Sequence, residues 1–209
     1  MTSPAQVTND MEAIHHYLAG GGGRRHLVGS DLTQQQRQEL ETLGRIRTVD
    51  QQQYSTARGY ALEHWKIEHD SAQELELLRP AGAGAKRFAH GQLVAVRPPD
   101  AGTFLLGQVR WLIGATNGEL RAGVKLMPGI PAATSVRATG LNDKTERPVA
   151  ALALGPVPAV KAPATLVLPA GWYKANRVLE VAGDKPYNVR LTEVLERGAD
   201  FERVAYEAA

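Results

Sequence analysis

From about residue 60 onward the chain is a succession of short apolar runs separated by turn-forming Gly and Pro residues. Runs of this length and spacing are typical of an antiparallel barrel or sandwich, and the crossover helices that a parallel sheet needs are missing from the pattern. The predicted strands are 62–68, 74–78, 92–97, 104–113, 119–126, 133–138, 149–154, 165–168, 177–181, 187–191 and 201–206. The segment 192–197 admits a short helix that would end at Gly198.

The dipeptide Asn117-Gly118 lies between the runs 104–113 and 119–126. Both residues tolerate positive φ, so the dipeptide is a strong hairpin signal and predicts that the two runs pair antiparallel. The alternation of side chains along the strands predicts that the core includes four residues of this hairpin, Val109, Trp111, Leu120 and Val124. Arg110 and Arg121 are expected at neighbouring exposed positions.

Two helices are predicted ahead of the strands. The first covers residues 9–19, with Asn9 as its N-cap and Glu12 as the capping-box partner. The second begins at Thr33 and ends at Gly44. We therefore predict a mainly β chain with N-terminal helices, divided into a helical segment 1–44, a β-barrel 45–147, and a Pro-rich bridge with a β-rich extension 148–209. The sequence shows no repeat of regular period.

Composition excludes several classes of protein. The 209 residues include no Cys, so disulfides and thiolate metal sites are ruled out. The chain has no apolar run of spanning length and no signal-peptide pattern, so we expect no membrane span and a cytoplasmic location. The net charge of +2 hides a basic stretch, because residues 81–140 carry seven basic and two acidic side chains. Such an excess suits a compact anionic ligand, although chance explains it equally well.

Motifs of catalysis are missing from the sequence. It contains no nucleotide-binding glycine loop, no nucleophile elbow and no zinc-protease helix motif. His15 and His16 are adjacent on a predicted helix and point in different directions, which disfavours joint metal ligation. His69, Asp70 and Ser71 are neighbours on an extended chain and cannot form a triad locally. We therefore predict a protein without catalytic residues, metal or cofactor.

The segments 65–74 and 107–124 resemble the PilZ-type domain, a bacterial six-stranded β-barrel family whose members commonly bind cyclic di-GMP. The stretch 69–74 resembles the family's D/N-x-S-x-x-G motif: Ser71 matches, while His69 replaces the acid or amide and Glu74 replaces the glycine. The stretch 107–111 reproduces G-x-V-R-W, and Gly123-Val124 follows after the hairpin. The resemblance covers roughly residues 45–140 and implies a PilZ-like antiparallel six-stranded barrel followed by further strands.

The resemblance also implies where a ligand would bind. The family's R-x-x-x-R motif does not occur, and Arg45-Ile46-Arg47 stands at about the corresponding distance. Arginine side chains there would hold phosphates by charge-assisted hydrogen bonds. The candidate ligand residues are Arg45, Arg47, Arg58, His69, Asp70, Ser71 and Arg110. Glu74 would place a side chain and a negative charge where a phosphate approaches.

Two functions follow from this pattern, and a third is disfavoured. The first is a signalling receptor that binds cyclic di-GMP and transmits to a partner protein. The second is a PilZ-like adaptor that has lost the ligand and works by docking a protein partner. Nucleic-acid binding needs aromatic platforms beside the arginines, and only Trp111 and Phe88 are near them, so the sequence argues against it.

Overall fold

The computed structural model describes residues 4–20, 60–84, 86–140 and 147–209. These residues are mainly β, as predicted, with one short α-helix near the N-terminus, one 3₁₀ turn at Pro158–Val160 and two closed six-stranded antiparallel barrels. The elements of the first half are β1 (Ala5–Asn9), α1 (Met11–Leu18), β2 (Glu63–Asp70), β3 (Glu74–Arg79), β4 (Leu93–Arg97), β5 (Leu105–Gly114) and β6 (Leu120–Leu126). Those of the second half are β7 (Pro131–Ala138), β8 (Val149–Leu154), β9 (Thr165–Pro169), β10 (Val178–Val181), β11 (Tyr187–Arg197) and β12 (Phe201–Ala208).

The two barrels have the same topology. Around the first barrel the strands run β1-β2-β3-β6-β5-β4, and around the second they run β7-β8-β9-β12-β11-β10. The registers also agree: Leu93 opposite Gln108 in the first corresponds to Val178 opposite Arg190 in the second. Each long hairpin carries a β-bulge at the corresponding place, after Val109 in β5 and after Leu191 in β11. The chain therefore contains a repeat of architecture that its residue pattern does not display.

The structure places the division between the barrels earlier than residue 147. β7 pairs with β8 and β10 and so belongs to the second barrel, whereas the prediction grouped 133–138 with the first. The sixth strand of the first barrel is β1, which pairs with β2 and β4 and was not predicted. β1 has few strongly apolar residues, so its strand character depends on its position in the closed barrel more than on its own sequence.

The hairpin prediction is confirmed, and the helical alternative for 192–197 is wrong. β5 pairs antiparallel with β6 across Asn117-Gly118, where Gly118 has φ +86°. The segment 192–197 continues β11 and pairs with β12 on both sides of a second bulge. Its irregular alternation arises from the two bulges, which mimic a helical period over a few residues.

Helix α1 begins one residue later than its predicted cap implies. Asp10 is the N-cap, and its side chain accepts the N–H of Glu12 at 3.0 Å. Asn9 instead ends β1 and donates through Nδ2 to the carbonyl of Arg87 at 2.7 Å. The predicted second helix, 33–44, lies outside the described residues.

Three apolar clusters hold the barrels. Two fill the barrel interiors, and the third joins the outer faces of β4 and β5 to those of β8 and β9, with Ile14 of α1 beside them. Phe201 at the start of β12 is fully buried in this third cluster. The barrel interiors are thus separate cores, and the joint between them is itself apolar and buried.

Hydrogen bonds complete the joint between the barrels. The N–H of Ala199 donates to the carbonyl of Gly91 at 2.7 Å, and Asp200 Oδ1 accepts the N–H of Leu93 at 2.8 Å. From β5, the buried Gln108 donates through Nε2 to the carbonyl of Arg197 at 3.3 Å. The turn between β11 and β12 is therefore attached directly to the first barrel at the start of β4.

Candidate functional site

A small pocket lies on the outer face of the first barrel, where the end of β2 and strands β3, β5 and β6 meet. Its volume is about 160 Å³. It is lined by His69, Glu74, Leu75, Glu76, Arg110, Trp111, Gly123, Val124 and Lys125. The pocket therefore joins the two separate stretches that carry the PilZ resemblance.

Trp111 forms one wall because of the bulge in β5. Val109 pairs with Val124 and Trp111 pairs with Gly123, so Arg110 is the extra residue. The extra residue reverses the alternation, which leaves Val109 buried and turns Trp111 outward with 37% of its surface exposed. The prediction that Trp111 is a core residue is wrong for this reason. Val124 is buried as predicted, and Leu120 is partly buried against the same core.

Gly123 makes room for this tryptophan. A Cβ atom at Gly123 would overlap the indole ring of Trp111. A residue with a side chain would therefore push the ring off β6. The glycine and the tryptophan face each other as one unit, which leaves the exposed part of the indole available as a flat apolar surface.

The charged groups around the pocket nearly balance. Arg110 and Lys125 are cationic and exposed, and Arg110 Nη1 donates to Gln108 Oε1 at 3.1 Å. The carboxylate of Glu76 lies 3.8 Å from Arg121. Among the described residues, Glu74 has no ion-pair partner and stands exposed beside the cations. An anion entering the pocket therefore meets two cations and one uncompensated carboxylate.

The turn between β2 and β3 uses its own serine. Ser71 Oγ accepts the N–H of Glu74 and donates to its carbonyl, both at 3.0 Å, while the Ser71 N–H also donates to that carbonyl. Asp70 is exposed and pairs with Leu75 at the end of the hairpin. Neither Asp70 nor Ser71 lines the pocket, and the serine hydroxyl serves a local turn.

The structure thus brings together only some of the predicted ligand residues. His69 and Arg110 line the pocket; Asp70 and Ser71 stand in the adjoining turn. Arg45, Arg47 and Arg58 lie outside the described residues. Sequence reasoning missed Lys125 and the exposed face of Trp111. The residue pattern of β6 gave a signal for Lys125, since it alternates with the buried Val124.

The basic stretch 81–140 does not form one surface. Lys86 turns inward, where its Nζ donates to Thr8 Oγ1 at 3.1 Å, and burial lowers its pKa below the ordinary lysine value. Arg121 is 3.1 Å from Glu68, and Arg137 of the second barrel is 2.7 Å from Glu180. Acidic residues from other segments therefore offset much of this local charge.

The family comparison concerns the second barrel. Residues 134–209 match the family described as the FimW C-terminal beta-barrel domain. The match begins within β7 and continues to the end of the chain as given. No curated protein and no solved structure matches the chain. This match and the six-stranded barrels fit a PilZ-like fold, and the matched residues lie almost wholly beyond the stretch that resembles PilZ.

Two further properties concern the described residues as a whole. Their helices include none that combines the length and apolarity needed to traverse a bilayer. Nor do the described residues bring three potential His, Asp or Glu ligands together around a metal position.

Proposed function

We propose that this chain is a non-catalytic PilZ-like signalling protein that binds cyclic di-GMP at the pocket of the first barrel and transmits to a partner protein. The observation that carries the proposal is that His69 and Glu74, the two ends of the stretch 69–74, line one pocket with Arg110 and Trp111 of the stretch 107–111. These stretches are separate in sequence and were connected only by the resemblance. Because a second messenger is sensed inside the cell, the proposal includes a cytoplasmic location.

The side chains suit parts of such a ligand. Arg110 offers a planar fork of donors for a phosphate, and Lys125 offers a second positive charge. The exposed indole of Trp111 offers a face on which a base can stack. A pocket of about 160 Å³ is too small for a whole cyclic dinucleotide, so the ligand would lie across the barrel face with one part inserted. In this proposal Arg45, Arg47 and Arg58 supply the remaining phosphate contacts, as the resemblance implies.

A second function, a ligand-independent adaptor, is favoured by the turn between β2 and β3. Glu74 has a carboxylate where the family motif has glycine, and the Ser71 hydroxyl is already hydrogen-bonded to the backbone of Glu74 within the turn. Both features weaken a phosphate site. In the adaptor, the exposed side chains of β5 would contact a protein instead of a nucleotide.

Calorimetric titration of the purified chain with cyclic di-GMP separates the two functions. For the receptor we expect binding that falls at least about tenfold in Arg110→Ala and in Trp111→Ala, because each removes one phosphate or base contact. The double variant Arg45→Ala/Arg47→Ala is expected to abolish it. No measurable heat with the unmodified chain would reject the receptor and leave the adaptor.

The second barrel supplies matched controls for that titration. Glu193 occupies the register position of Trp111, and Arg190 is an exposed arginine on the same strand. Glu193→Ala and Arg190→Ala should leave the affinity within about twofold of the unmodified chain. Equal losses in the controls and in the pocket variants would mean that the pocket is not the site.

A further inference from the structure

We infer that Glu196 of the second barrel is a built-in competitor of anions at the pocket of the first barrel, and that it sets the affinity of that pocket by holding Lys125. The inference rests on the proposed function in one respect, because it concerns the same pocket. It adds a residue that neither the resemblance nor the pocket lining contains. Glu196 lies on β11, after the second bulge.

The carboxylate of Glu196 is buried but weakly bonded. Its side chain is 10% exposed; Oε2 lies 3.4 Å from Arg203 Nε, and Oε1 lies 3.7 Å from Lys125 Nζ. Neither Oε1 nor Arg203 Nε has a hydrogen-bond partner among the described residues. A desolvated carboxylate with two loose ion pairs attracts any nearby cation strongly, since little else compensates its charge.

Lys125 is the cation that both the carboxylate and a ligand can use. Its side chain is 52% exposed and lines the pocket, so an anion that enters the pocket lies beside this lysine. A phosphate that takes Lys125 must share the ammonium with Glu196 or displace it. Displacement leaves the buried carboxylate with Arg203 alone, and that penalty subtracts from the binding free energy.

The arrangement also connects the pocket to the joint between the barrels. Arg110 of the pocket is bonded to Gln108, which donates to the carbonyl of Arg197, the residue after Glu196. Lys125 thus has its partner on β11 directly, and Arg110 is linked to the same end of β11 through Gln108 of β5. The two effects are linked. An anion that draws these cations into the pocket weakens their contacts with the end of β11, and those contacts weaken anion binding by the same free energy.

The test compares Glu196→Gln with Glu207→Gln. Glu207 is exposed, pairs with Arg190 at 3.3 Å and occupies the register position of Lys125 in the second barrel, so its neutralisation changes the net charge equally. With pyrophosphate and with cyclic di-GMP as probes, Glu196→Gln is expected to tighten binding about three- to fivefold, the effect of removing one competing ion pair. Glu207→Gln should stay within about twofold. In a Lys125→Ala background, Glu196→Gln should change nothing.

Glu196→Asp guards against a folding defect in the first variant. It keeps the negative charge but shortens the side chain, which lengthens the 3.7 Å contact with Lys125, so a smaller gain in the same direction is expected. Pyrophosphate affinity that is no tighter in the folded Glu196 variants than in Glu207→Gln would overturn the inference, including the case in which none of them binds. Absence of cyclic di-GMP binding together with a pyrophosphate gain in Glu196→Gln would reject the proposed function and leave the competition standing.

Discussion

The first and second barrels share strand order, register and the place of a bulge, but the equivalent faces carry different chemistry. On the first barrel, Trp111 and Lys125 border a pocket. At the same register positions the second barrel carries Glu193 and Glu207. The same backbone thus carries an aromatic and a basic side chain in the first barrel and two acidic side chains in the second. Architecture by itself therefore assigns no ligand, and the assignment depends on a few outward side chains.

The largest expected effect is on stability, when Trp65 in the core of the first barrel is replaced by the alanine that the second barrel has at the same register position. Trp65 is 1% exposed, packs on Phe88 with ring centroids 4.9 Å apart, and donates to Glu63 at 2.9 Å. The second barrel has Ala151 at that register position. Trp65→Ala should lower the free energy of unfolding by about 3–5 kcal/mol, because removing a buried side chain of this size leaves a cavity that the surrounding residues fill only in part. Urea denaturation measures this loss, and Trp65→Phe should lose less. A loss under about 1 kcal/mol would contradict the packing account.

The joint between the barrels is tested at Asp200. Asp200→Ala leaves the N–H of Leu93 without its acceptor, so a loss of about 1–3 kcal/mol in unfolding free energy is expected. Asp200→Asn keeps an acceptor and should be much milder. If both substitutions cost the same, the hydrogen bond is not what holds the joint.

The same residue gives a pH signature. Burial raises the pKa of Asp200, and the hydrogen bond from Leu93 opposes the rise. The folded chain therefore holds this proton more tightly than the unfolded chain does. Its stabilising contribution is full below the ordinary carboxyl pKa of about 4 and is lost as the pH rises through the elevated value. The stability difference between Asp200→Asn and the unmodified chain should thus shift in favour of the variant across that window; a difference independent of pH would contradict this.

Gly123 tests the pocket with little effect on the fold. The second barrel has Ala205 at this register position, so the backbone there accommodates a Cβ atom. Gly123→Ala should displace the indole of Trp111, reduce cyclic di-GMP affinity about five- to tenfold, and cost under about 1 kcal/mol of stability, since a half-exposed side chain can move. Calorimetry and denaturation measure the two quantities. Unchanged affinity with a displaced indole would remove Trp111 from the site.

The smallest expected effect concerns Glu74. Glu74→Gln removes a carboxylate beside the pocket cations and should tighten cyclic di-GMP binding about two- to fourfold at low salt, with the gain shrinking as ionic strength rises. Glu74→Gly should give a similar gain, because the described backbone has no positive φ at this position and needs no glycine. A gain that does not depend on salt would contradict the electrostatic cause.

How far the sequence predicts this molecule depends on whether local signals decide each feature. Asn117-Gly118 predicted the hairpin of β5 and β6 because turn geometry is local. β1 was missed because a barrel strand that pairs only with distant segments has no local signature. Trp111 was predicted in the core because strand alternation was assumed to continue through β5. A bulge interrupts that alternation, and no residue type marks the bulge in the sequence. The repeated barrel architecture was also not predicted, because residue periodicity indicates where strands lie but not which strands pair.

The position of β1 has a consequence for the order in which the barrels form. Val7 pairs with Glu63 and Val96, whereas its equivalent in the second barrel, Val136, pairs with Val149 and Val181. Closing the first barrel therefore has a larger loop-entropy cost than closing the second. Contacts between residues far apart in sequence also form more slowly. We expect refolding to pass through a species in which the second barrel is closed and the first is open. In that species β2 and β4 present unpaired edges, and self-association during refolding would begin there.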